Sequence, residues 1–473
     1  MCQNEKDYDN AIKYLKTSPM FNLSLSSKEL FHSNFLYWIW KADQKTFKSI
    51  INKLIGENDY WEKYWGDKNI EVRREYKNFD LSIVEVCSNT DDSEKNSNTT
   101  DYKIQEDQGD YNTDGLILFV LENKVKSIPY AQQLLKYNNK IDQHNEALLK
   151  KEILNEKSKG RWSNKWKEDL EKRKTKLCCK KVLLSLTDTS PDITLDKNCF
   201  KGWKRRSYDE YLSYLQQITA NKNALSEYQN IFDDYCKYIK NLSICIKEWN
   251  KFIDPKTNEI NLETKFGDYP YMETAENLRL HALYSQYNYA KLCCILMQKL
   301  KDAGLSNVQY IRMQDDIILL TGEDKKKRGK FVNYDDYFKD NEKEYKMLIG
   351  VGYGYTNKTP LLEVKVVKKD IENPDKLIYI IQVQGNSYEH GIIRKGSKSE
   401  VENYIENNDE IKKWGSTIND NNINIFAANK VCENYNGYNG TYSMVYKYRK
   451  IDSQRPTKDV IDYIVADVKE LNK

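Results

Sequence analysis

The sequence has no run of about 18 apolar residues, which excludes a membrane-spanning helix of ordinary length. Its start, Met-Cys-Gln-Asn-Glu-Lys-Asp, lacks the basic and then apolar pattern of a secretory signal. There are 10 cysteines but no Cys-x-x-Cys; two pairs are adjacent, Cys178-Cys179 and Cys293-Cys294. That pattern supports neither a zinc framework nor a disulfide scaffold, and a reducing cytoplasm is the expected location. Excess charge is also lacking: +4 over 473 residues neither demands nor excludes nucleic acid, so its distribution must decide. Gly350-Val-Gly-Tyr-Gly354 has the glycines of a phosphate loop but no Gly-Lys-Ser/Thr after them, and is set aside.

What is present centres on Leu116-Ile-Leu-Phe-Val-Leu-Glu-Asn-Lys124. Six apolar residues followed by charge read as a buried strand with a polar exit. Side chains two apart share a strand face, so Glu122 and Lys124 project together and Asn123 points away. A carboxylate and an ammonium at such a place cost desolvation energy unless they have partners or work. Val125 to Pro129 break the strand, and Tyr130 to Asn139 read as a short helix. On it Gln133 and Tyr137 stand four apart, on one face.

Glu122-Asn-Lys124 resembles the second half of the PD-(D/E)XK nuclease signature, and Gln133-x-x-x-Tyr137 resembles the Q-x-x-x-Y motif of its RecB-type branch. The surrounding stretch is similar to a bacterial family of uncharacterised PD-(D/E)XK proteins. The resemblance implies a restriction-endonuclease-like α/β core, a central mixed sheet flanked by helices, over about residues 20–220.

Two aspartates compete for the first acid of the signature. Asp114 has the more ordinary spacing, but residues 115 to 122 must be the strand. Asp114 then lies about 26 Å from Glu122 at about 3.3 Å per residue. A shared Mg²⁺ needs ligands at about 2.1 Å. Asp80 lies in Asn78-Phe-Asp-Leu-Ser-Ile-Val-Glu-Val86, a separate strand that can pair antiparallel with 116–122. Residues 87–114 then form a long polar connection, which loop-closure entropy tolerates. Asp80 is the expected first acid.

Ser26-Ser27-Lys28-Glu29 reads as a helix start leading into the apolar stripe Leu30, Phe31, Phe35, Trp38 and Ile39. Glu29 has two readings. The resemblance makes it a third carboxylate near a metal; otherwise it is a first-turn partner of the helix dipole. His32 is expected to be structural. Between Lys150 and Lys181 there are 13 basic and 5 acidic residues, an excess of 8, with Trp162 and Trp166 interleaved at helical spacing. Lys165, Lys167 and Arg173 there, with Lys204 and Arg205 further on, are the expected nucleic-acid contacts. The 36 tyrosines are read as compositional bias before they are read as base-stacking surface.

Further elements expected are a strand at 181–187, helices at 207–218 and 224–252, and a boundary near Asp254-Pro255. Residues 1–255 thus form the nuclease-like domain with its helical extension. Residues 256–473 form a second α+β region of unassigned role, with one long helix over 273–301. Strands are expected at 308–312, 316–320, 347–353, 361–367, 377–384, 423–427 and 441–448, and helices at 399–414 and 459–471. Glu363-Val-Lys365 repeats the tripeptide but has no Q-x-x-x-Y after it; a solvated strand face is expected there.

The resemblance implies a Mg²⁺-dependent nuclease (Mn²⁺ substituting), with DNA as the expected partner and restriction or phage defence as context. Asp80 and Glu122 would hold the metal, the Asn123 carbonyl being a further candidate, and Lys124 would serve the attacking water. Gln133 would lie near the metal or a phosphate, and Tyr137 on the backbone. The alternative is an inactive nuclease-fold module that binds nucleic acid or a protein partner. A homo-oligomer or protein partner through the C-terminal region, RNA as substrate, and endo- or exonuclease action stay open.

Overall fold

The computed structural model describes residues 3–27, 30–86, 115–125, 131–158, 179–186, 202–219, 226–250, 262–267, 271–305, 308–310, 347–356, 359–368, 377–417, 425–431, 435–438 and 442–471. These fall into two compact units, one within residues 1–248 and one within 249–473.

The first unit opens with helices α1 (Gln3–Thr17), α2 (Pro19–Ser27), α3 (Leu30–Ala42), α4 (Gln44–Ile55) and α5 (Tyr60–Trp65). Ser26 and Ser27 close a helix rather than start one, because Pro19 to Leu25 already form the preceding turns. Helix α4 is sharply bounded: the Asp43 side chain accepts from Thr46 N at 3.1 Å, and Gly56 ends it in a left-handed conformation, φ 84°.

Strands β1 (Ile70–Arg74), β2 (Leu81–Val86) and β3 (Gly115–Lys124) form an antiparallel meander. The β1–β2 link contains three non-glycine residues in the left-handed region, Glu75, Lys77 and Asn78. It is anchored where Lys140 Nζ donates to the Lys77 carbonyl at 2.5 Å. Helix α6 (Ala131–Ser158) follows, far longer than the ten residues expected. Strand β4 (Lys180–Ser185) runs parallel to β3, and β5 (Trp203–Ser207) parallel to β4. Helices α7 (Tyr208–Thr219) and α8 (Gln229–Asn250) complete the unit.

The sheet order is β1-β2-β3-β4-β5, a mixed sheet. Every residue of β3 is buried, as its apolar run requires of a central strand. Asn123 Nδ2 reaches Ser33 of α3, whereas Glu122 reaches Gln133 of α6. Neighbouring residues of a strand face opposite ways, so helices cover both faces. On the α6 side Val120, Leu183, Trp203 and Phe79 pack with Leu134 and Ile141.

The second unit contains α9 (Met272–Asn277), α10 (His281–Asp302), β6 (Val308–Tyr310), β7 (Met347–Thr356), β8 (Thr359–Lys368), β9 (Ile378–Gln384) and β10 (Ser387–Lys395). It continues with α11 (Lys398–Glu406), α12 (Asp409–Ser416), β11 (Phe426–Val431), β12 (Asn436–Tyr438), β13 (Tyr442–Ile451) and α13 (Thr457–Leu471). Its sheet runs β11-β13-β10-β9-β8-β7-β6, with β12 also on β13; among the described strands only β6 and β7 pair parallel. The expected helix over 273–301 is two helices, broken where Arg279 takes φ 55°. That over 399–414 is also two, restarted by the Asn408 side chain accepting from Ile411 N at 3.1 Å. The expected strand at 316–320 lies outside the described residues. Strands β1, β5, β10 and β12 were not expected.

Candidate functional site

The site is built where β2 and β3 meet the start of α6. Leu81 pairs with Leu121, so Asp80, one residue before β2, lies beside the polar exit of β3. Asp80 Oδ2 accepts the Asn123 backbone N–H at 2.6 Å. Gly115 pairs with Val86 at the opposite end of β3. Asp114 lies outside the described residues.

Glu122 and Lys124 share the α6 face as strand periodicity dictates, and form an ion pair of 2.8 Å from Nζ to Oε1. Both are buried, Glu122 at 1% exposure and Lys124 at 6%. Burial of two charges is tolerated here because they offset each other and further hydrogen bonds support them. Gln133 Nε2 donates to Glu122 Oε1 at 2.9 Å and to the Tyr137 hydroxyl at 2.9 Å. One amide thereby links the strand carboxylate to the phenol one helical turn further on. The Tyr137 hydroxyl is an acceptor in that bond, so its own hydrogen is left to donate. Burial, and then the negative charge of Glu122, push the phenol up to about 12. Asp80 contributes in the same direction, so both carboxylates act on this hydroxyl.

Asp80, Glu122, Lys124, Gln133 and Tyr137 are therefore assembled by the fold, out of a stretch that spans 58 residues of sequence. Glu29, Lys165, Lys167 and Arg173 lie outside the described residues. Lys204 and Arg205 are exposed on β5. His32 is fully buried, 2.8 Å from the Tyr235 hydroxyl, and has a structural role. Among the described residues no group of three or more His, Cys, Asp and Glu side chains is placed to hold a metal ion.

Sequence reasoning missed Asn138. Its Oδ1 accepts from Lys181 Nζ and from Trp203 Nε1, each at 2.9 Å, tying α6 to β4 and β5. Its position next to Tyr137 was the available signal. Arg206, beside Lys204 and Arg205 in sequence, is tied down: its Nε donates to the Leu54 carbonyl at 2.9 Å and secures the last turn of α4.

The second Glu-x-Lys overturns its expectation. Glu363 and Lys365 do not face solvent: they are 5% and 3% exposed, with Nζ 2.9 Å from Oε1. Residues 361–367 of β8 are all buried, so both of its faces are shielded. Gly350 and Gly352 of β7 lie beside Lys365 and Glu363 in register.

Comparison of the chain with protein-family models, with curated proteins and with solved structures finds no match in any of the three. Among the described residues no helix is long and apolar enough to cross a membrane.

Proposed function

We propose that the chain is a Mg²⁺-dependent nuclease of the PD-(D/E)XK type that hydrolyses phosphodiester bonds in DNA, in a setting of restriction or phage defence. The observation that carries this reading is the assembly of Glu122, Lys124, Gln133 and Tyr137 into one bonded group with Asp80 alongside. A mixed sheet with α6 crossing from β3 to the parallel β4 is the topology that such a core requires.

The donor set fits a magnesium ion. Mg²⁺ takes one or two carboxylates and keeps several waters, so Asp80 and Glu122 suffice without a third acidic side chain. Gln133 Oε1 is buried and accepts no hydrogen bond, which suits an oxygen turned toward metal-bound water. When bound, the ion would supply Lewis-acid polarisation of the phosphate and a more acidic water.

The remaining work falls to side chains. Lys124 would orient the attacking water and offset charge on the phosphate once substrate draws it from Glu122. Gln133 would hold the Glu122 carboxylate in one rotamer. Tyr137, protonated throughout the neutral range, would donate to a phosphate oxygen.

A binding-only reading is favoured by one observation: in this conformation the Glu122–Lys124 pair is closed and Asp80 Oδ2 is taken up by Asn123. Incubating plasmid and linear DNA with Mg²⁺, with EDTA, and with Glu122→Ala separates the two. Cutting that needs Mg²⁺ and Glu122 supports the enzyme. Binding without cutting supports the module.

A further inference from the structure

Strand β2 carries one polar residue in its buried part. Leu81, Ile83 and Val84 are fully buried, and so is Ser82 between them. The Ser82 hydroxyl makes no hydrogen bond among the described residues. A buried hydroxyl without a partner costs free energy that an alanine at the same place would not. In a folded core such an atom calls for an explanation, and a bound water or ion is one.

Register puts this hydroxyl at the site. Ser82 pairs with Val120 of β3, and Val120 packs with Leu134 and Ile141 of α6, so Ser82 faces α6. Asp80 and Glu122 both act on Tyr137 of α6, so they stand on this face too, one step nearer the polar end of the sheet. The diagonal from Ser82 to Glu122 is about 7 to 8 Å between Cα atoms, a gap that the length of Glu122 and one water molecule close. The direct neighbours of Ser82 do not serve its hydroxyl. Val120 offers only methyl groups. Arg73, its partner on β1, turns its guanidinium along its own strand, with Nε and Nη2 donating to Glu71 Oε2 at 2.9 and 2.6 Å. Gln133 Oε1 is a second buried oxygen on this face that accepts no hydrogen bond, while its amide nitrogen holds Glu122 at 2.9 Å. Two oxygens able to accept thus stand beside one carboxylate. A water bound to a cation turns its hydrogens outward and suits such acceptors.

We propose that Ser82 is a positioning residue of the metal centre: its hydroxyl, together with Gln133 Oε1, accepts from a water of the magnesium ion held by Asp80 and Glu122. The inference rests on the nuclease reading and adds the inner wall of its metal site. Groups that hold the ligands and waters of a metal without touching it change its affinity by about 10- to 100-fold when they are removed. Ser82 therefore weakens the metal-free fold slightly and strengthens metal binding, and the two effects can be measured apart.

The test uses the full chain as wild type, Ser82→Ala, Ser82→Thr and Glu122→Gln. Three quantities are measured: the urea midpoint without metal, the Kd for Mn²⁺ alone by calorimetry, and the Mg²⁺ concentration that half-saturates DNA cleavage. Ser82→Ala keeps or raises the urea midpoint, because it removes a hydroxyl that the metal-free fold does not satisfy. Its Kd for Mn²⁺ and its half-saturating Mg²⁺ rise about tenfold or more. Ser82→Thr keeps the hydroxyl and stays within about threefold of wild type in both. Wild-type Kd and half-saturation in Ser82→Ala, or a loss of affinity that Ser82→Thr shares, overturns the role of Ser82; if Glu122→Gln has meanwhile lost Mn²⁺ binding and cutting, the nuclease reading stands without it. A wild-type chain that binds no Mn²⁺, or binding that survives Glu122→Gln unchanged, overturns the metal centre and the role of Ser82 with it.

Discussion

Asp80 and Asn123 are joined by a 2.6 Å hydrogen bond from the Asn123 backbone N–H to Asp80 Oδ2. This bond registers the residue before β2 against the residue between Glu122 and Lys124. The first acid is thus positioned by backbone, independently of the length of the chain between the strands. Asp80→Asn keeps an acceptor oxygen for that N–H but removes the charge. We expect stability to change by less than about 1 kcal/mol in urea unfolding. Mg²⁺-dependent cleavage should fall by about 100-fold or more, roughly 3 kcal/mol of transition-state stabilisation. Wild-type cleavage by Asp80→Asn would remove Asp80 from the site.

Tyr137 gives a prediction about pH. Its folded value of about 12 lies above the ordinary tyrosine value near 10. The stability contributed by keeping it neutral is therefore complete below about pH 10 and is lost as pH rises through about 12. Below that window it acts only as a neutral donor. Tyr137→Phe should slow cleavage about tenfold while leaving the shape of the pH–rate profile unchanged. An alkaline break below about pH 10 that vanishes in Tyr137→Phe would contradict this role.

The parts of the site set by local periodicity could be read from the sequence. An apolar run ending in Glu-x-Lys fixes which side chains share a face, and a spacing of four does the same for Gln133 and Tyr137. The choice of Asp80 also followed from simple chain length, and the structure puts Asp80 beside Glu122's end of β3. What failed was set by tertiary contacts. Trp203-Lys-Arg-Arg-Ser207 looks like a solvated basic cluster because only Trp203 is apolar, yet it pairs with β4 as an edge strand. Ser26 and Ser27 carry cap chemistry, but the preceding residues were already helical. Glu363 and Lys365 alternate as a half-exposed strand would, and nothing local reveals that both faces of β8 are covered.

That last pair can be tested by stability. Lys365→Met removes one partner and leaves the Glu363 carboxylate buried, which should cost about 3 to 5 kcal/mol. Changing both, Glu363→Leu with Lys365→Met, should recover most of the loss, because a packed apolar pair needs no desolvation. Denaturant unfolding of the three variants checks this. A Lys365→Met effect near zero would mean the pair is solvated after all.

Glu389 in β10 gives the second unit its own pH dependence. Burial pushes its carboxyl up to about 7, with the nearby Glu363 adding to the shift and Lys450 opposing it. An acid with a raised folded value stabilises the fold below its unfolded value, and that stability is lost as pH rises through the folded one. The loss therefore falls between about pH 4.5 and about pH 8, and amounts to roughly 3 kcal/mol at most. Glu389→Gln cannot ionise. Wild type should lose stability relative to Glu389→Gln across that interval, measured by thermal unfolding at each pH. Parallel stability curves would show that Glu389 is ionised in the folded chain.

Under the proposed nuclease reading, Glu122 and Lys124, served by Asp80, Gln133 and Tyr137, cut phosphodiester bonds with a magnesium ion. The most direct measurement is the rate of DNA cleavage by the purified chain in Mg²⁺, with Glu122→Gln and Lys124→Met beside it and their folds checked by circular dichroism. Wild type should cut, EDTA should abolish the cutting, and each substitution should lower it by about 100-fold or more. Cutting that survives EDTA, or that either folded variant carries out at the wild-type rate, would contradict it.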